Sequence, residues 1–219
     1  MSSLAEKLAP SRAALIVVDM CNDFLSPEGK TVTRSGRPIA AAQAVIPRIG
    51  RLLDAARASG VEVCFVQHTT LRDGASDSRP WLEARARATY SVPDLCLDGS
   101  WGQEIVPELA PRAGEHIVKK VRYSGFTSGE LDTLLRGRRR DTVVCCGVST
   151  NVCVEATARH AFELDYYVVL ADDACASWDR TLHEASLATA RHRYAEVATV
   201  DEITAAWMQV SELSPASKA

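Results

Sequence analysis

Thr142-Val143-Val144-Cys145-Cys146 runs straight into Gly147-Val148-Ser149-Thr150-Asn151-Val152-Cys153-Val154-Glu155-Ala156. An apolar run without alternation suits a strand covered on both faces of a parallel sheet, and helical spacing follows it to about Leu164. The junction therefore reads as a strand-to-helix turn, with Cys153 in the first turn of the helix. Backbone N–H groups there lack intrahelical partners, and the positive end of the helix dipole favours a thiolate. The expectation is a thiol with its pKa lowered from the roughly 8.5 of free cysteine. The plainer account of the same residue is a small apolar side chain packed at a helix start.

The alternation repeats outward from this stretch. Apolar strand-like runs cover Ala13 to Val18 (ending at Asp19), Val61 to Gln67, Glu115 to Lys119, Tyr166 to Ala171 and, weakly, Glu196 to Thr199. Helical spacing lies between them. Ile39 to Ser59 carries Ile46, Ile49, Leu52, Leu53 and Ala56 on one stripe and stops at Gly60. Thr127 or Ser128 caps a helix through Arg136, with Glu130 and Asp132 near its positive end. Thr181 to His192 and Glu202 to Val210 supply further helices, while Met20 to Arg37 reads as a loop. His68 to Gly114 is a long connection with helical pieces at Trp81 to Ala88 and Gly102 to Leu109, and a connection of that length suits a lid or substrate rim.

The expected fold is α/β: a single doubly wound domain on a six-stranded, mostly parallel sheet with helices on both faces. Residues 1–11 read as an N-terminal extension, 12–210 as the domain and 211–219 as a polar tail. Ligands in such sheets bind beyond the carboxyl ends of the strands.

Composition narrows the function classes. A net charge of −3 gives no basic excess for nucleic acid or an anionic membrane surface, and no apolar run approaches bilayer length. No Gly-x-Gly-x-x-Gly follows the first strand, so a dinucleotide site has no support and no cofactor is expected. The seven cysteines are odd in number and include no Cys-x-x-Cys, which argues against a disulfide framework or zinc knuckle. The start of the chain mixes charge with apolar residues rather than forming a signal sequence, and a reducing cytoplasm is the expected compartment.

Asp19 follows the first strand, Lys120 the third and Cys153 the fourth, so a parallel sheet puts all three along one edge. Hydrolysis of an amide needs such a set: a thiolate to attack the carbonyl, a base to move the proton, and donors for the oxyanion. Asp19 suits the base, and Lys120 suits a cation that holds the carboxylate and favours the thiolate. A strand-end aspartate capping a loop and a solvated basic patch with Lys119 and Arg122 are the structural alternatives. Cys21, two residues from Asp19, is a rival nucleophile but sits in a loop away from a helix start.

The blocks Leu15-Ile16-Val17-Val18-Asp19-Met20-Cys21-Asn22-Asp23-Phe24, Lys120-Val121-Arg122-Tyr123-Ser124-Gly125-Phe126 and Gly147 to Glu155 together resemble isochorismatase-like cysteine hydrolases. The resemblance covers roughly residues 12 to 205. It implies a triad of Cys153, Asp19 and Lys120, a cis peptide between Val148 and Ser149, and an oxyanion hole of the Ser149 and Cys153 amides. Lys120 rather than Lys119 is implied by its place three residues before Tyr123; two neighbours on a strand point oppositely, but local physics does not say which points in.

Within that family the Asp98-Gly99-Ser100-Trp101-Gly102 and Arg122 to Phe126 segments resemble the carbamoyl and ureido branch, ureidoacrylate and N-carbamoylsarcosine amidohydrolases especially. The expected reaction is hydrolysis of a small linear amide, ureide or carbamoyl compound through a thioester. The alternatives are vinyl-ether cleavage of the isochorismatase type, which needs no thiolate, and a non-catalytic α/β binding module. Phe24, Trp101 and Tyr123 are candidate pocket walls, and Arg72 a candidate partner for a substrate carboxylate. Gln67-His68-Thr69 lacks the Asp-x-His of metal-dependent relatives, so no metal site is expected and His68 reads as a pocket wall or a satisfied core histidine. Family habit implies a homo-oligomer, dimer or tetramer.

Overall fold

The computed structural model describes residues 2–88 and 91–212. Its strands are β1 (Ala13–Val18), β2 (Glu62–His68), β3 (His116–Lys120), β4 (Thr142–Val148), β5 (Tyr167–Ala176) and β6 (Glu196–Ala198). They form one sheet in the order β3-β2-β1-β4-β5-β6, and every pairing is parallel. The helices are α1 (Leu4–Lys7), α2 (Asn22–Leu25), α3 (Lys30–Thr33), α4 (Ala40–Ala44), α5 (Ile46–Ser59), α6 (Arg79–Ala86), α7 (Glu130–Gly137), α8 (Glu155–Glu163), α9 (Arg180–Arg193) and α10 (Val200–Glu212).

The unalternating sequence of β1 has the expected cause. Ala13, Leu15 and Val17 join a core with Ile49 and Leu53 of α5 and Trp207 of α10, whereas Ala14, Ile16 and Val18 join another with α7, α8 and α9. Strand side chains point to opposite faces in turn, so a strand covered on both sides is apolar throughout. The chain winds one way from β1 to β3 and the other from β4 to β6. Adjacent β1 and β4 thus flank the switch point, where the diverging connections leave a crevice at their carboxyl ends.

Several boundaries differ from the sequence reading, each for a local reason. Residues 20–37 are not all loop but include α2 and α3. The Ile39 to Ser59 helix is split at Val45, because Pro47 lacks an N–H and its ring would strike the preceding turn; it is accommodated at the start of α5. Gly129, left-handed at φ 79°, caps α7 in place of Thr127 or Ser128. Gly102 to Leu109 forms two 3-10 turns, Trp101–Gln103 and Pro107–Leu109, rather than one helix. β5 runs on to Ala176 across a register shift against β4 between Cys145 and Gly147, which the polar pair Asp172-Asp173 concealed. Within the N-terminal stretch, Leu8 is fully buried in the core. The expected polar tail lies outside the described residues from position 213 onward.

Beside β1 stands Gly147 of β4, which has φ 114° and would place a Cβ 2.1 Å from the Val18 carbonyl oxygen. Backbone cannot yield as a flexible side chain can, and an L residue is strained at that φ. Gly147→Ala is therefore expected to cost about 3 kcal/mol or more, read as a lowered midpoint in urea unfolding.

Candidate active site

Asp19 leaves β1 in a left-handed conformation, φ 55°, one that aspartate tolerates better than most residues. Its amide donates to the Val66 carbonyl at 2.8 Å, and the bend turns the carboxylate back across the end of β2. There the His68 amide donates to Oδ1 at 2.8 Å and Lys120 Nζ donates to Oδ2 at 2.8 Å. Lys120 ends β3, two strand spacings (about 10 Å) from β1, and its long stem crosses that gap. Its Nζ also lies 3.3 Å from Cys153 Sγ. One buried ammonium thus touches both the carboxylate and the sulfur. Lys119 points the other way, half exposed, to Asp98 at 2.7 Å.

Cys153 sits in a turn of π-helix, Thr150–Val154, that leads into α8. The wider turn differs from the expected α-helical start, and such turns often occur at functional sites. Thr157 secures it by donating to the Cys153 carbonyl at 2.7 Å while accepting from the Gly125 amide at 3.1 Å. The Val148–Ser149 peptide is cis. Asn151 Oδ1 accepts from Ser149 Oγ at 2.9 Å and from Ser177 Oγ at 2.5 Å.

The electrostatics correct one expectation. Burial pushes the Cys153 thiol up rather than down, Asp19 pushes it the same way by charge and hydrogen bonding, and Lys120 does not overcome them. The helix start is outweighed because the sulfur has lost its water, which favours the neutral thiol. Burial also works against the Lys120 ammonium, but the Asp19 carboxylate and Cys153 offset it and hold Lys120 above its ordinary value. His68 is driven well below 6.5 by burial, then by the charges of Lys120 and Arg85.

These shifts set the expected pH limits of stability. Unfolding frees His68 to bind a proton below pH 6.5 that the folded chain refuses, so acid destabilises by up to about 1.4 kcal/mol per pH unit from this group alone. Stability is fully present above pH 6.5 and falls below it. Buried Cys64 and Cys145, pushed up to about 12 by desolvation, act in the opposite sense: the unfolded chain loses their protons first, and stability falls as pH rises past 9.0. Urea unfolding from pH 4 to pH 10 is expected to show both slopes, and a flat acid limb would contradict a neutral buried His68.

A cleft of about 230 Å³ opens over this edge, with Asp19, Ser149, Asn151 and Cys153 on its wall. Phe24 and Tyr123 line it; Trp101 and Arg72 do not. Trp101 is half exposed in a 3-10 turn whose carbonyl accepts from Asn22 Nδ2 at 2.9 Å, and Arg72 donates to the Asp98 carbonyl at 2.9 Å. Cys21 is fully buried and absent from the lining. Sequence reading missed Trp81, Trp178, Arg37 and Arg85. Trp81 lies 4.9 Å from Tyr123 and Trp178 6.0 Å from Phe24, ring centre to centre, while Arg37 stacks on Trp178 at 4.7 Å and Arg85 on Trp81 at 5.8 Å. Arg85 also donates to the Val92 carbonyl. No local signal marks these residues; Asn151 and Val152, also on the wall, stood within a motif already singled out. Among the described residues no cluster of three or more His, Cys, Asp or Glu is placed to hold a metal ion, and no helix is long and apolar enough to cross a membrane.

Comparison with known proteins agrees with this fold. A ureidoacrylate amidohydrolase, RutB, of Agrobacterium fabrum is 40% identical over 176 residues, 76% of this chain and 77% of the relative. The crystal structure of a cysteine hydrolase from Pseudomonas syringae pv. phaseolicola superposes with a TM-score of 0.80 at 31% identity, covering 91% of this chain and 94% of that one. An N-carbamoylsarcosine amidase from Thermoplasma acidophilum gives a TM-score of 0.68 at 28% identity, covering 87% and 97%. The isochorismatase domain matches residues 13–202, nearly the whole described fold, and the chain belongs to the isochorismatase family.

Proposed function

We propose that this chain is a cysteine-dependent amidohydrolase that cleaves a C–N bond of a small linear ureide, carbamoyl compound or amide. The observation that carries the reading is the contact of one buried ammonium, Lys120 Nζ, with both Asp19 Oδ2 at 2.8 Å and Cys153 Sγ at 3.3 Å at the sheet's switch point.

Cys153 rests as a thiol, so attack begins with proton transfer to Asp19, and Lys120 keeps the departing sulfur close to a positive charge. The thiolate adds to the substrate carbonyl, and the amides of Ser149 and Cys153 stabilise the oxyanion that forms. The C–N bond breaks as Asp19 returns its proton to nitrogen, and ammonia or an amine leaves. Water, deprotonated by Asp19, then adds to the thioester; its collapse releases the acid and restores the thiol. Isochorismatase-type vinyl-ether cleavage gives the thiol no part, and a thiol in contact with an ammonium–carboxylate pair favours acyl transfer.

Arg37 and Arg85 on the cleft wall support a substrate with a carboxylate tail, since guanidinium groups bind carboxylates well. The RutB relative is named for ureidoacrylate, a ureide of that kind. The seven free thiols suit a reducing cytoplasm, and a homo-oligomeric state belongs to the same reading. The test is ammonia release across ureido acids, carbamoyl amino acids, uncharged ureides and primary amides. Ureido and carbamoyl acids are expected to give the highest kcat/KM, and alkylation of Cys153 to stop turnover. Turnover that survives stoichiometric alkylation of Cys153 would exclude the thioester route.

A further inference from the structure

His68 is the buried polar group in the cleft that the steps above leave without a task. Its side chain is 7% exposed, it lines the same wall as Asp19 and Cys153, and its Nδ1 is buried with no hydrogen-bond partner among the described residues. Other histidines are provided for: His160 Nδ1 pairs with Ser124 Oγ at 3.0 Å and His183 Nδ1 with Thr150 Oγ1 at 2.8 Å. A buried nitrogen without a partner is costly, and a phenylalanine would fill the same space without that cost.

The ring is also held in place. It lies 6.3 Å from the Phe24 ring and 6.5 Å from Trp81, centre to centre, and its own amide N–H holds Asp19 Oδ1 at 2.8 Å. The imidazole therefore belongs to the residue whose amide holds the proton acceptor, and is fixed relative to it. Burial and the nearby charges of Lys120 and Arg85 keep the ring neutral, and a neutral ring beside two cations is best placed with a lone pair to offer.

We propose that His68 contacts the substrate directly, its Nε2 accepting a hydrogen bond from an N–H of the ureido or carbamoyl group held over Cys153. The inference rests on the amidohydrolase reading and sharpens it. A ureide presents N–H groups on both sides of the carbonyl under attack, whereas a primary amide presents them on one side only. With the leaving nitrogen attended by Asp19, a second acceptor favours a substrate with the second nitrogen. His68 is thus a specificity-determining contact for ureides over simple amides.

The experiment compares wild type with H68F, H68N and H68Q on N-carbamoyl-β-alanine and on a primary amide of similar length, together with thermal unfolding of each free protein. H68F is expected to raise KM for the ureide about 10- to 30-fold, to alter the primary amide far less, and to leave the Tm equal or higher. Asparagine places its amide group near Nδ1 and glutamine near Nε2, so H68Q is expected to recover ureide binding that H68N does not. Equal loss on both substrates, an H68F enzyme with wild-type KM, or better recovery by H68N would each overturn the proposal. If H68F does not fold, the ordering of H68N and H68Q decides. A wild type inactive on every ureide, carbamoyl compound and amide would sink the amidohydrolase reading and this inference together; an active wild type with an unaltered H68F sinks only the role of His68.

Discussion

Cys153→Ala is expected to lower turnover by about 10⁴-fold or more while leaving a folded protein. The size follows from the role: without the sulfur no thioester forms, and the remaining amides and cleft can only bind. The stability cost is expected to be small, about 1 kcal/mol, because one buried atom is removed and Thr157 still secures the turn through the Cys153 carbonyl. Steady-state ammonia release checks the first half and thermal unfolding the second. With a slow ureide, mass spectrometry of wild type should show an acyl or carbamoyl adduct on the peptide containing Cys153, absent from the variant. A variant hydrolysing its substrate at the wild-type rate would end the case for covalent catalysis.

Lys120→Met carries the second large effect, and here stability and activity fall together. Asp19 is fully buried and Lys120 is its ion-pair partner at 2.8 Å. Removing the ammonium leaves a carboxylate with the His68 amide donor but no countercharge, and breaking a buried pair in this way costs about 3–5 kcal/mol. Turnover is expected to vanish as well, because the sulfur loses its adjacent cation. The double variant Lys120→Met with Asp19→Asn separates the two effects. It should regain much of the stability, since neither charge remains, and none of the activity. A double variant as unstable as the single one would show that the ammonium holds the fold by something other than its pairing with Asp19.

Much of the architecture was legible in the sequence because it depends on periodicity. Runs such as Ala13 to Val18 and Thr142 to Cys146 are apolar throughout, which only a strand covered on both faces requires, and helical spacing between such runs forces parallel crossovers. That Asp19, Cys153 and the Lys119-Lys120 pair share an edge was legible for the same reason, since strand ends in a parallel sheet lie together; the choice of Lys120 came from the family resemblance. What failed was local. The split at Val45, the left-handed cap at Gly129 and the two short helices within residues 20–37 depend on a few backbone angles that composition does not encode.

Phe24, His68 and Tyr123 apart, the walls of the cleft were not legible. Trp81 and Arg85 come from α6 in the long connection, Arg37 from the stretch after α3, and Trp178 from the turn before α9. These segments have no common sequence pattern, and packing of the connections over the sheet edge brings them together. Trp101 and Arg72, which looked equally suitable, are held elsewhere by Asn22 and Asp98.

By itself, the sequence determined that a thiol, a carboxylate and an ammonium stand at strand ends along one edge of a parallel sheet, because strand-end positions follow from hydrophobic pattern. Only the tertiary structure decided that Lys120 rather than Lys119 turns inward, since alternation makes the two opposite but packing chooses the buried face. It also decided the direction in which the Cys153 pKa moves. The helix start favours an anion, but the loss of water around a buried sulfur outweighs it, and burial is a property of the folded chain alone.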